Sequence, residues 1–128
     1  MAHSLPSLGE LEMQVLRLVW EHQPCTEKTI TDLIAPERQV ARTTILKTMQ
    51  RLEGKGLLKR LPKTRPVQFR AAVEEQRVLP ELVHRFVETV LGGSSNPLVS
   101  YLAGSEKLSQ KDLKTLRDIA RKLDAENE

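Results

Sequence analysis

The residues best able to do chemistry in this chain are hydrogen-bond donors gathered on one short segment. Thr43, Lys47 and Gln50 recur at intervals of four and three residues, with Arg42, Leu46 and Arg51 at their flanks and Thr44 alongside. At about 100° per residue these positions share one arc of a helix, and Ala41, Ile45, Thr48, Met49 and Leu52 occupy the other. An ammonium or guanidinium in such a row can neutralise phosphate or bond a guanine edge. A carboxamide can pair with adenine, and threonine hydroxyls suit either phosphates or bases. Leu46 is apolar yet near the polar arc, which fits contact with a thymine methyl or packing against a neighbouring element.

The charge around that segment is segregated. Between Arg38 and Arg70 the basic residues are Arg38, Arg42, Lys47, Arg51, Lys55, Lys59, Arg60, Lys63, Arg65 and Arg70, against Glu53 alone, a net of +9. The whole chain carries +3, so the rest carries −6. A basic middle in an acidic chain points to a surface that meets a polyanion. The competing explanation is a solvated charged face with no partner. Aromatic residues make up 3% of the chain, too few for a base-stacking platform, which disfavours single-stranded nucleic acid.

Other chemistries find little support. Cys25 is the single cysteine, so no internal disulfide can form, and a reducing cytoplasm is expected. Its place beside the Thr26 helix start leaves a thiol-based redox response as an alternative. His3, His22 and His84 have no metal-ligand spacing. Glu10 and Glu12 face different sides of their helix, as solvated surface rather than an acid–base pair. No catalytic constellation, metal site or cofactor is expected, and no apolar run is long enough to span a bilayer.

The elements that must position the polar arc follow from periodicity. Ser7 and Glu10 have capping-box spacing, and Leu8, Leu11, Val15, Leu18 and Val19 continue a first helix to about Glu21, with Met13, Leu16 and Trp20 widening its apolar surface. Thr26 can cap a second helix through Ile30, Leu33 and Ile34, stopped by Pro36. The third helix runs from about Ala41 to Lys55 and ends at Gly54 and Gly56. Leu57–Leu61 and Val67–Ala71 read as strands joined by Pro62–Pro66, which carries Lys63 and Arg65 at a basic tip. Three helices and a hairpin in this order make a winged helix-turn-helix, mainly α, over residues 1–73.

Residues 74–128 return to helix. Leu79, Leu82, Val83, Phe86, Val87, Val90 and Leu91 form a broad apolar face on which Pro80 marks either a first turn or a kink. Asn96-Pro97 starts a short helix, and Ser109 with Asp112 starts the last. Some fifty residues carry more apolar surface than they can hide alone. A second copy clasped through Leu82, Val83, Phe86, Val90, Leu98, Tyr101, Leu102, Leu113, Leu116, Ile119 and Leu123 would cover it. Packing back on the same chain is the alternative.

Arg42-Thr43-Thr44-Ile45-Leu46-Lys47-Thr48-Met49-Gln50-Arg51-Leu52, followed by Lys55-Gly56-Leu57-Leu58, resembles the recognition-helix signature of the penicillinase repressor family. That family includes methicillin-resistance and copper-transport repressors. Leu8-Gly9-Glu10-Leu11-Glu12 leading to Val19-Trp20 is similar to the family's opening, and Leu98–Leu102 with Leu108-Ser109 to its dimerisation region. The resemblance implies a homodimeric repressor on palindromic double-stranded operator DNA of the TACA/TGTA kind. It further implies relief by a membrane-bound sensor protease, with the cleaved bond near Ser100-Tyr101, where Ser and Tyr stand in place of Asn and Phe. The copper branch's Cys-x-Cys motifs are missing. A winged-helix interaction module without DNA readout is the rival from another class.

Overall fold

The computed structural model describes residues 5–104 and 108–126. The chain divides into two compact units, Met1–Val78 and Leu79–Glu128. The first contains α1 (Glu10–His22), β1 (Cys25–Thr26), α2 (Glu27–Ile34), α3 (Arg42–Gly54), β2 (Leu58–Arg60) and β3 (Gln68–Ala71). The three strands form an antiparallel sheet in the order β1-β3-β2.

The apolar faces expected of the three helices meet in one core. Val15, Leu16 and Val19 of α1, Ile30 and Ile34 of α2, and Ile45, Met49 and Leu52 of α3 are buried together with Phe69 of β3. Thr48 sits among them because its hydroxyl is satisfied, donating to the Thr44 carbonyl at 2.8 Å. Leu33 turns outward and is exposed.

Helix ends depart in places from the expected signals. The first helix starts at Gly9 rather than Ser7: the Gly9 amide donates to Glu12 Oε1 at 2.9 Å, so the reciprocal carboxylate is Glu12 and not Glu10. Thr26 caps α2 as anticipated, its Oγ1 accepting from the Thr29 amide at 3.2 Å. At the end of α3, Gly56 has φ +79°, and the Gly56 and Leu57 amides donate to the Glu53 and Leu52 carbonyls. This paired closure needs a left-handed residue after the cap, and it turns the chain directly into β2.

The short strand β1 was not anticipated. Cys25 and Thr26 pair with Phe69 and Gln68, adding a third strand outside the wing hairpin. The hairpin itself is closed by a side chain. Thr64 Oγ1 donates to the Leu61 carbonyl at 3.0 Å and accepts from the Gln68 amide at 2.9 Å, while Lys63 adopts φ +60° at the tip.

Helix α4 (Glu75–Thr89) begins at the end of the first unit, and α5 (Asn96–Ala103) and α6 (Gln110–Glu126) follow. Pro80 lies inside α4, past its first turn. Ser109 Oγ accepts from the Asp112 amide at 3.1 Å and so starts α6. Within the second unit, Val87, Ser95, Leu113 and Ala120 are buried. Val83 and Phe86 of α4, Val90 just past its end, Tyr101 of α5 and Ile119 of α6 stay exposed, Val90 and Tyr101 at 63% and 77%. Leu82, Leu98, Leu102 and Leu116 are half-buried, and the side chain of Leu123 lies outside those described.

Candidate nucleic-acid interface

Helix α3 presents the polar arc as a free surface. Arg42 is its first residue, following Ala41 in extended conformation, and Arg42, Thr43, Thr44, Lys47, Gln50 and Arg51 are all exposed. The opposite arc is anchored in the core, so the helix cannot roll to hide these groups. Leu46 is half-buried. It lines a groove with Arg42 and Gln50, with Thr26, Glu27 and Lys28 at the start of α2, and with Arg60, Pro66, Val67 and Phe69 of the wing. Leu46 faces the wing across this groove, a position compatible with both roles expected for it. Lys63 and Arg65 are exposed on the wing loop, as their place in the sequence suggested.

The basic window looks different in space. Four of its ten cations are matched by carboxylates: Arg38 with Glu10 at 2.8 Å, Arg42 with Glu27 at 3.1 Å, Lys55 with Glu12 at 2.6 Å and Arg60 with Glu53 at 2.9 Å. Three of those carboxylates lie outside the window, where sequence counting missed them. Lys47, Arg51, Lys59, Lys63, Arg65 and Arg70 form no ion pair among the described residues. These free cations include the four expected to hold phosphate, and they add Lys59 and Arg70, which stand opposite each other across β2 and β3.

Glu12 corrects a second expectation. Its side chain is 12% exposed, not solvated. Burial acts to raise its pKa, but the Lys55 ammonium and the Gly9 amide outweigh that and hold it below the usual value. Trp20 also has a polar task besides packing, its indole N–H donating to the Val73 carbonyl at 3.0 Å. Cys25 is buried in β1, and burial pushes its thiol pKa up, so the thiolate needed for redox sensing is suppressed. Burial of the thiol therefore counts against the thiol-sensor alternative. His84 pairs with Glu88, His22 is exposed, and His3 lies outside the described residues.

A three-helix core, a polar helix anchored along its opposite face and a basic two-stranded wing define a winged helix-turn-helix protein. A family model described as penicillinase repressor matches residues 8–122, and the chain belongs to that family, whose members are transcriptional repressors and not enzymes. It is 27% identical to the methicillin resistance regulatory protein MecI of Mammaliicoccus sciuri over 90% of this chain and 94% of that one. It is 24% identical to a penicillinase repressor of Staphylococcus aureus, over 93% and 94% of the two chains. The fold is similar to that of a MarR family protein from Bacillus stearothermophilus, with a TM-score of 0.53 and 18% identity, over 94% of this chain and 76% of that chain. No helix among the described residues is long and apolar enough to cross a membrane.

Proposed function

We propose that the chain is a transcriptional repressor that binds palindromic operator DNA as a homodimer. The observation that carries the reading is the exposed row of Thr43, Lys47 and Gln50 on a helix whose other face is fixed in the core. Such a helix enters a major groove with its N-terminal residues toward the bases. Lys47, Arg51, Lys63 and Arg65 supply phosphate contacts, and Gln50 reads an adenine. The exposed apolar side chains of α4, α5 and α6 clasp a second copy. Two half-sites of the TACA/TGTA kind then lie about 34–36 Å apart, or at a multiple of that.

Family membership supports repression by occupancy of a promoter, in the cytoplasm. Relief by a membrane-bound protease would act at Ser100-Tyr101. Both residues are exposed, but their peptide bond lies inside α5, so that helix has to unwind before a protease can accept it.

The test is binding to a duplex carrying a TACA/TGTA palindrome and to a shuffled duplex of equal length. A preference of at least about 10³ at physiological salt supports specific readout. Equal binding to both would leave a winged-helix interaction module without DNA readout as the better account.

A further inference from the structure

Among the residues lining the groove between α3 and the wing, Glu27 is the one carboxylate. It opens α2 and is only 17% exposed, yet its partner Arg42 is 63% exposed and is the first residue of α3. The pair is bidentate. Arg42 Nε donates to Glu27 Oε2 at 3.1 Å and Arg42 Nη2 donates to Glu27 Oε1 at 3.1 Å. Thr31 Oγ1, one turn along α2, donates to the same Glu27 Oε2 at 2.7 Å and is itself buried. The carboxylate is therefore fixed from behind before it fixes the arginine.

This geometry uses one fork of the guanidinium and leaves the other. A guanidinium has five N–H donors, and the pair with Glu27 occupies Nε and one proton of Nη2. The remaining edge, made by Nη1 and the second proton of Nη2, keeps the planar two-donor spacing that matches guanine O6 and N7. Arg42 also borders the groove shared with Gln50 and the wing. An arginine already held in one rotamer loses little freedom when it docks. Its charge is balanced by Glu27, so it adds little to the sequence-independent attraction of phosphate.

Resting on the operator-binding reading above, we infer that Glu27 is a specificity-determining residue, holding Arg42 so that its free edge reads a guanine in each half-site. Arg42 then contributes discrimination more than affinity, in contrast to the unpaired Lys47, Arg51, Lys63 and Arg65.

The experiment is selection from a randomised duplex library, with sequencing of the bound fraction, for the wild type, Glu27→Gln, Arg42→Lys, Arg42→Ala and Glu27→Gln/Arg42→Ala. The wild type is expected to enrich a motif with guanine at one position per half-site. Glu27→Gln and Arg42→Ala each lose that preference by about tenfold or more, leave the other positions intact, and are no worse in combination. Arg42→Lys, which keeps the ion pair but not the planar fork, loses the same position, so the effect does not depend on misfolding. Affinity of Glu27→Gln for non-selected DNA stays level or rises. If Glu27→Gln tightens binding to all DNA while the full motif persists, Glu27 merely neutralises a phosphate contact and the inference fails alone. It fails in the same way if the two losses add, or if Arg42→Ala keeps the guanine. A wild type that enriches no motif overturns the operator-binding reading as well.

Discussion

Lys55 Nζ lies 2.6 Å from Glu12 Oε2 and 2.7 Å from the Ser7 carbonyl, tying the end of α3 to the start of α1 across more than forty residues of sequence. The contact is only partly exposed on both sides. Glu12 also accepts the Gly9 amide, so one carboxylate caps a helix and anchors another. Glutamine keeps one acceptor oxygen, so either the Lys55 ammonium or the Gly9 amide loses its side-chain partner and faces an NH2 group instead. Glu12→Gln is expected to lower unfolding stability by roughly 1–3 kcal/mol, measured as a shift in the urea midpoint at constant slope.

The acid dependence of stability follows from the same carboxylate. Its folded pKa is depressed below the ordinary 4.5, so its contribution is complete above 4.5 and is lost as pH falls through the lower folded value. Glu27 shifts in the same direction: burial opposes ionisation, but hydrogen bonds from Arg42 and Thr31 prevail. Urea titrations from pH 6 downward should show stability decreasing below about pH 4.5. Glu12→Gln should flatten this limb without abolishing it, since Glu27 remains. An unchanged slope in the variant would assign the acid limb elsewhere.

Much of this unit was legible because its helices obey one period and its stops are chemically distinct. The buried arc of Ile45, Thr48, Met49 and Leu52 and the exposed arc of Thr43, Lys47 and Gln50 came directly from spacing. What spacing could not reveal was pairing between distant elements. Two residues of β1 carry no alternation to detect, and the strand exists because Phe69 and Gln68 offer it an open edge. The matching of Arg42 with Glu27 and of Lys55 with Glu12 depends on how α2 and α1 pack beside α3. A basic window counted along the chain therefore overstated the charge left free for phosphate.

That distinction makes salt dependence a discriminating measurement. Each cation that contacts phosphate adds about 0.9 to the slope of log K against log salt on B-form DNA. Lys63→Ala and Arg51→Ala are each expected to reduce the slope by about 1, with similar losses of affinity on specific and non-specific duplexes. Arg38→Ala should leave the slope unchanged, because that guanidinium is held by Glu10 at 2.8 Å. A loss of slope in Arg38→Ala would mean that the ion pair opens on binding.

Thr64 offers a test of the wing that leaves its charge untouched. Its hydroxyl bridges the Leu61 carbonyl and the Gln68 amide, closing the loop that carries Lys63 and Arg65. Thr64→Ala removes both bonds, each worth about 0.5–1.5 kcal/mol net, so the tip should loosen while the core strands persist. Hydrogen exchange should quicken at the Gln68 amide and remain slow at the Phe69 amide. DNA affinity should fall with no change in salt slope, since the cations remain but are less well ordered. Uniform loss of protection across β2 and β3 would instead mean that the threonine supports the whole hairpin.

The proposed clasp between copies is open to a test in which folding and assembly separate. Phe86 lies in the last turn of α4 and Val90 directly follows the helix, its amide donating to the Phe86 carbonyl at 2.8 Å; they are 45% and 63% exposed in the single chain, so neither fills its interior. A glutamate at either position disturbs little within the chain but places a charge in any apolar interface, which dimer contacts of this kind tolerate poorly. Phe86→Glu and Val90→Glu are expected to keep wild-type helical content while weakening self-association by roughly 2 kcal/mol or more, read by sedimentation equilibrium. Binding to a single half-site should then survive, because the first unit carries α3 and the wing. Binding to the full palindrome should drop toward the half-site value, since the second half-site is no longer delivered by the first. Dimers that persist in both variants would show that the copies meet through some other face, and the spacing of the half-sites would have to be derived from that face instead.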